Sequence, residues 1–352
     1  VRVPWIEGRR EEAAWQGAAL LPLSALSWLY GAGARLHRSL YTRGWRSRTR
    51  LGCRVVSVGN LGVGGSGKTP TAALLARELK KRGHRVVIAS RGYGREARTP
   101  VVVVSDGRHV LARVEEAGDE PMLLAAHAPG VPVLVGARRA LVGQRAISSF
   151  GAEVLLLDDG FQHHPLERDL DVLVLDGHFG LGNARVLPRG PLREPLSSLA
   201  RAGAVGIIDG PVCEDDERRL DRHAPSARRF EARRVPRGLR VLDAGQLEDP
   251  ASLADKEVGL LSGIARPDSL RRSVEALGAH VVAERCFRDH HRYRPRDLAG
   301  LALEAPDWIT TEKDAIKLNP AWARGVTISA LVIELELEDP GFLDWLSSRL
   351  HG

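Results

Sequence analysis

The chain has 352 residues, 43% apolar and 27% charged, a composition that excludes disorder and leaves room for one large α/β domain or two smaller ones. Basic residues number 51 against 44 acidic ones, a net +7, which favours an anionic partner without choosing among nucleotide, nucleic acid and lipid head group. Cys53, Cys213 and Cys286 are odd in number and far apart, so they form neither a disulfide framework nor a zinc pair and fit a reducing cytosol.

Residues 1–50 stand apart. Between positions 13 and 77 there is no acidic residue, while Arg35, Arg38, Arg43, Arg46, Arg48, Arg50 and Arg54 all fall there. The run 13–34 is mostly apolar but is broken by Gln16, Pro22, Ser24 and Ser27, which counts against a spanning helix of roughly 20 apolar residues. Trp5, Trp15, Trp28 and Trp45 are four of the seven tryptophans. Tryptophan followed by arginine suits a helix lying on an anionic bilayer surface; the alternative is a helix packed on the protein's own core. Arg9-Arg10 and Ala32-Gly33-Ala34 also resemble a secretory signal, but export would part the phosphate loop described next from its nucleotide, and that reading is rejected.

From Cys53 the pattern alternates strand and helix. CRVVSVG (53–59) and HRVVIAS (84–90) predict buried strands. Between them PTAALLARELKKRG is a helix, with Pro70 in its first turn, Leu75 and Leu79 on one face, Lys80-Lys81-Arg82 in its last turn and Gly83 as its stop. Further strands are predicted at 131–136, 153–158, 170–176 and 204–209. The rhythm argues for a mostly parallel sheet covered on both faces. The basic, proline-containing stretch 224–240 predicts a linker or hinge, and 257–263, 280–287 and 307–314 repeat the α/β rhythm in a second, smaller domain. The expected organisation is therefore a helical segment at 1–50, a phosphate-loop domain at 51–225 and a smaller α/β domain at 226–352.

Gly62, Val63, Gly64, Gly65, Ser66, Gly67, Lys68 and Thr69 spell G-x-x-x-x-G-K-[ST] between a strand and a helix. Backbone amides of such a turn surround phosphate oxygens because no Cβ blocks them, and the helix N-terminus adds its dipole. Lys68 reaches toward the β- and γ-phosphates and the Thr69 hydroxyl suits magnesium. The same glycines also spell the dinucleotide pattern G-x-G-x-x-G, with Ser90-Arg91 as a possible 2′-phosphate reader. The Lys-Thr pair decides for a triphosphate, together with EVLLLDD (153–159), whose Asp158 and Asp159 end a hydrophobic strand and supply a cation partner.

Other polar residues are ambiguous by spacing. His163 and His164 follow that strand end and are structural or substrate-facing; Asp119 and Glu120 precede Pro121 and read equally as a helix cap. Asp289-His290-His291 is a zinc site, a surface turn or half of a catalytic pair. Arg185, Arg189 and Arg193 are phosphate clamps or a solvated loop.

Together SVGNLGVGGSGKTP (57–70), SRGYG (90–94), GDEP (118–121), DDGFQHHPLERDLDVLVLD (158–176), GNARVLPRGPLREP (182–195), FRDHHRY (287–293) and TEKDAIK (311–317) resemble, in order and over most of the chain, the tetraacyldisaccharide 4′-kinase family. The resemblance implies a membrane-associated phosphate-loop kinase, using ATP and Mg²⁺, that phosphorylates the 4′-hydroxyl of an acylated glucosamine disaccharide 1-phosphate in lipid A synthesis. It implies Asp119 as base assisted by His290, and Asp158, Asp159 and Glu120 on the magnesium side with Thr69. It also implies Gln162, His163, Arg193 and Glu194 along the acceptor cleft, and a peripheral or monotopic place on the cytoplasmic face of the inner membrane. The chain departs from the family pattern at Ala184, where glycine is expected, and at Arg189, where a small residue is expected.

Two rivals are weaker. A phosphate-loop switch or partition module would need an Asn-Lys-x-Asp guanine reader, of which TEKD (311–314) is only a loose echo. A nucleic-acid protein would interleave its arginines with exposed aromatics rather than cluster them beside an apolar run. No obligate protein partner is expected.

Overall fold

The computed structural model describes residues 20–96, 99–323 and 325–350. Trp5, Trp15, the Arg9-Arg10 pair and the first part of the apolar run lie outside them.

Thirteen strands join in one sheet among the described residues. They are β1 (Arg54–Gly59), β2 (Val86–Ser90), β3 (Val102–Ser105), β4 (Val133–Val135), β5 (Val154–Asp158), β6 (Leu170–Asp176), β7 (Ala204–Ile208), β8 (Arg228–Val241), β9 (Leu247–Glu248), β10 (Glu257–Ser262), β11 (His280–Cys286), β12 (Asp307–Thr311) and β13 (Thr327–Leu337). The order is β11-β10-β12-β13-β8-β7-β6-β1-β5-β2-β4-β3, with β9 on β8. β1 lies between β5 and β6, parallel to both. Its continuous apolar run is what burial on both faces demands. One face is covered by the helix Lys68–Lys81, through Ala72, Leu75 and Leu79, and by the helix Gly341–Leu350, through Phe342 and Leu346. Leu61, Phe161, Leu173 and Val205 belong to the core on the other side.

The stretch expected as a linker at 224–240 is instead largely strand β8. Residues 228–232 run parallel to β7, and residues 232–241 run antiparallel to β13. Its arginines concealed a period-two pattern: Phe230, Ala232 and Leu239 are buried, while Arg233 and Arg237 pair with Glu336 across the ladder. Pro236 sits where the β8–β13 register shifts, a place where a missing backbone donor costs least. β13 went unassigned from sequence although TISALVIELEL is its natural complement.

The helix Leu21–Thr42 packs on the loop after β6, but with its small and polar face. Ser27 Oγ donates to the Val186 carbonyl at 2.6 Å, Arg38 donates to Ser198 Oγ at 2.9 Å, and buried Arg189 donates to Ser24 Oγ at 3.2 Å. Gly31 faces Val186 so closely that a Cβ there would stand 3.3 Å from its methyl carbon. Leu21, Leu26, Trp28, Leu29 and Leu36 point to solvent. Packing of the apolar face on the protein's own core is therefore not what is found. No described helix is long and apolar enough to cross a membrane.

Ala184 gives its departure a physical meaning, because its φ is +58. The backbone takes the left-handed turn that the expected glycine would take freely, at a cost of about 1 kcal/mol for a residue with a Cβ. Ala184→Gly is therefore expected to stabilise the protein by about 1 kcal/mol in urea unfolding; a destabilised variant would show that the turn is not strained.

Candidate active site

The carboxyl ends of β1 and β5 bring the first group of residues together. The loop from Asn60 to Gly67 turns back into the helix Lys68–Lys81, and Gly64 and Gly67 have φ of +102 and +85, which side chains disfavour. The loop is fastened to the segment holding Arg193: Val63 donates to the Pro191 carbonyl at 2.8 Å and Arg193 to the Leu61 carbonyl at 2.8 Å. Lys68 Nζ lies 3.2 Å from Asn60 Oδ1 and 3.3 Å from Asp159 Oδ1. Thr69 Oγ1 lies 3.3 Å from Asp158 Oδ1, because the first helical turn faces the end of β5, where Val58 pairs with Asp158.

The two neighbouring aspartates have different surroundings. Asp159, in a left-handed turn at φ +51, meets Arg193 Nη1 at 2.9 Å as well as Lys68. Burial acts to raise its pKa, but Lys68 and Arg193 outweigh burial and hold the carboxyl below the ordinary range. Asp158 is buried against two hydroxyls, Thr69 and Ser90. Burial, with Glu120 and Asp159 close by, pushes its carboxyl up to about 7. A buried carboxylate beside a first-turn threonine hydroxyl is a hard-oxygen site short of one positive charge. Among the described residues no group of three or more His, Cys, Asp and Glu makes a closed metal cage. Magnesium seldom needs one, since it is usually held by one or two carboxylates plus substrate phosphates. The donor set fits such an ion.

Gln162 continues this network, donating from Nε2 to the Asn60 carbonyl at 3.0 Å and accepting from Arg193 at 3.4 Å. His163 is partly buried, and burial with Arg139 and Arg168 nearby lowers its pKa to about 4, so it is neutral at physiological pH. Glu194 is turned inward: Arg201 holds both of its oxygens, at 2.7 and 3.1 Å, and Ser198 donates at 2.8 Å. Arg185 lies on the exposed side of its loop, and Arg189 is packed under the helix Leu21–Thr42.

The second group centres on Asp119, the first residue of the helix Asp119–His127. Gly118 has φ +92, and a Cβ on it would stand 2.7 Å from the Tyr93 carbonyl oxygen, so glycine lets the SRGYG loop press against the helix start. His290, itself at φ +60, donates from Nδ1 to Asp119 Oδ2 at 2.9 Å, and the Tyr93 ring lies 5.2 Å from its imidazole. Lys313 Nζ stands 3.3 Å from His290 Nε2, 3.9 Å from Asp119 and 3.8 Å from Glu120; Lys317 Nζ stands 3.8 Å from Asp119. Burial acts to raise the Asp119 pKa, but the His290 hydrogen bond and the two lysines prevail and hold the carboxyl below its ordinary value. The hydrogen bond to Asp119 raises the His290 pKa. Glu120 reaches both groups, since it borders Lys313 and its charge acts on Asp158.

Of the Asp289-His290-His291 run, His290 pairs with Asp119, while His291 bonds to Asp297 at 3.0 Å. Lys313 and Lys317 were not singled out from sequence, although their four-residue spacing in TEKDAIK was the available signal. Asp314 of the same run accepts from the Gly263 amide at 2.9 Å and from Thr311 at 2.8 Å; it is buried and is not a base reader.

The family described as tetraacyldisaccharide-1-P 4′-kinase matches residues 19–351. The chain is 44% identical to the tetraacyldisaccharide 4′-kinase of Anaeromyxobacter dehalogenans, covering 95% of this chain and 90% of that one. It is 40% identical to the enzyme of the same name from Syntrophus aciditrophicus, covering 90% and 89%. Among solved structures, LpxK from Aquifex aeolicus in complex with ATP superposes with a TM-score of 0.75 at 34% identity, covering 95% of this chain and 98% of that one.

The Asp119–His290 pair predicts a bounded pH window. Asp119 is depressed, so its contribution to stability is present above the ordinary value of 3.8 and is lost as pH falls through the folded value. His290 is raised, so its contribution is complete below 6.5 and is lost as pH rises through the folded value. His290→Ala should destabilise by about 1–3 kcal/mol at roughly pH 5–6 and by progressively less on either side. Urea unfolding across pH reads this; a difference flat from acid to alkali would exclude the pairing.

Proposed function

The chain belongs to the tetraacyldisaccharide-1-P 4′-kinase family, and we propose that it moves the γ-phosphate of ATP onto the 4′-hydroxyl of a tetraacyldisaccharide 1-phosphate, with the residue roles that follow. One observation carries the reading: the phosphate loop with its Thr69–Asp158 corner and the Asp119–His290 pair share one end of the sheet, joined through Glu120.

Main-chain amides of the loop and Lys68 hold the nucleotide's phosphates. Thr69 and Asp158, with Glu120 at hand, would hold Mg²⁺, whose chemistry is neutralisation of phosphate charge. Asp119 takes the proton of the sugar hydroxyl as its oxygen bonds to phosphorus and the bond to ADP breaks. A depressed pKa makes Asp119 a weak base, and that suffices, because in a loose phosphoryl-transfer transition state the attacking oxygen needs aim more than activation. His290 aims the carboxylate, Lys313 and Lys317 keep it ionised, and Gln162, Arg193, His163 and Glu194 shape the acceptor side, Glu194 by fixing Arg201.

The lipid's delivery follows from the helix Leu21–Thr42. Its outward leucines and Trp28 lead into exposed Arg43, Arg46, Arg48 and Arg50, an apolar face bordered by cations that suits an anionic leaflet. The helix rests on the Val186–Ser198 loop, whose Arg193 reaches Asp159, so a membrane surface and the phosphate loop lie at the two ends of one rigid segment. This supports a peripheral enzyme on the cytoplasmic face of the inner membrane. Residues 1–50 serve anchoring, 51–225 nucleotide binding and 226–352 delivery of His290.

Lys68→Ala should lower kcat/KM at least as much as Asp119→Ala, each by about 10²-fold or more, in transfer of labelled γ-phosphate to the acylated disaccharide. Near-normal turnover of Lys68→Ala at saturating ATP would refute the nucleotide site. A Leu26→Ser, Trp28→Ser, Leu29→Ser triple variant should sediment poorly with anionic vesicles; undiminished sedimentation would refute the membrane face.

A further inference from the structure

On the kinase reading, the phosphate loop has a further cationic neighbour. Beside the phosphate loop, the segment after β10 brings Arg266 from the C-terminal half of the sheet. Its Nη2 and Nε stand 3.5 and 3.6 Å from where a Cβ on Gly64 would be, so the guanidinium lies against the loop that receives phosphate. It stacks on Phe179, 3.9 Å from guanidinium carbon to ring centre, which fixes its plane.

The charge of Arg266 is poorly spent. Its buried Nη1 has no hydrogen-bond partner, and the nearest carboxylate oxygen, Asp176 Oδ2, is 3.6 Å away. That oxygen already accepts from both terminal nitrogens of Arg234 at 3.3 Å, and Arg234 is itself held by Asp209. A partly buried guanidinium with Nε and Nη2 against a phosphate-binding turn, and with its Nη1 unbonded, has donors to offer an anion held there.

The same loop holds the catalytic pair. Gly263, three residues before Arg266, accepts from the His290 amide at 3.2 Å and donates to Asp314 at 2.9 Å. A Cβ on Gly263 would lie 3.1 Å from Asp314 Oδ1 and from the Tyr293 hydroxyl, so the turn has little slack. We propose that Arg266 binds the nucleotide's phosphates from the C-terminal half and, through the Gly263 turn, sets His290 against Asp119, so that the base pair is held in place when a phosphorylated nucleotide is bound.

The test compares the full-length protein with Arg266→Ala in calorimetric binding of ATP and of AMP, alongside kcat and KM. Loss of charge-assisted hydrogen bonds should weaken ATP by about 10-fold or more, with AMP affected far less, an unchanged thermal midpoint and partial recovery in Arg266→Lys. In a His290→Ala background Arg266→Ala should still weaken ATP but lower kcat little further. ATP affinity within twofold of wild type, or equal losses for ATP and AMP, overturns the phosphate contact. A kcat loss undiminished in the His290→Ala background overturns the coupling. If Arg266→Ala does not fold, Arg266→Gln, which keeps the stem on Phe179, carries the same measurements. Wild-type transfer to the lipid separates these failures from failure of the kinase reading itself.

Discussion

The contact between Asp119 and His290 is the constraint around which the molecule is arranged. Its partners are 171 positions apart in the chain and belong to opposite halves of the sheet. A carboxylate and an imidazole at 2.9 Å tolerate little error, since hydrogen-bond strength falls quickly with distance and angle. Two features supply the accuracy. Strand β8 welds the halves into one sheet, pairing with β7 over its first residues and with β13 over the rest. Left-handed backbone at Gly118 and His290 then turns both side chains inward. A flexible linker in place of β8 would leave the pair to chance encounter.

Much of this was legible in the residues; the short strand β3 was passed over, and the missed strands β8 and β13 have a shared cause. Strands β1, β2, β4, β5, β6, β7, β10 and β12 lie where apolar runs predict them, because burial on both faces leaves an unbroken signature; the predicted edge strand β11 instead alternates partly buried with exposed residues. β8 and β13 were hidden because each buries part of its length and exposes paired charges on the rest; RRFEARRVPRG reads as a linker until Glu334 and Glu336 are placed opposite its arginines. The phosphate loop and the two strand-end aspartates could be read because local spacing alone defines them. For Lys313 and Lys317 the spacing was a hint only, since their partner Asp119 lies far along the chain, and Arg266 had no local signal at all. The glycine expected at 184 shows the converse: the backbone keeps its left-handed turn even with alanine there, so the resemblance described the conformation and not only the residue.

The adjacent aspartates show how one sequence pair yields two chemistries. Asp159 is met by Lys68 and Arg193 and is satisfied by the protein itself. Asp158 meets only hydroxyls among its described hydrogen-bond partners, in a place where a bare carboxylate is costly. The difference arises from one backbone step, as Asp158 ends a strand and Asp159 begins a left-handed turn. On the proposed reading, charge supplied from outside is therefore met first by Asp158. Were both carboxylates paired internally, a cation arriving with the nucleotide would have to break an ion pair before it could bind.

The helix Leu21–Thr42 inverts the usual rule for a helix on a globular protein, and the inversion has a structural consequence. Its buried contacts run through Ser24, Ser27, Gly31 and Arg38, so hydrogen bonds and close backbone approach hold it where hydrophobic burial normally would. Such a dock does not consume the apolar face, which remains whole for another solvent. It also fixes orientation, because hydrogen bonds are directional where apolar contacts are not. Arg189, buried beneath this helix, belongs to the same arrangement: a small residue there would leave Ser24 without its guanidinium partner. The second departure from the family pattern thus bears on how the apolar face is held outward, while Arg193, four residues on, stays with Asp159 at the phosphate loop.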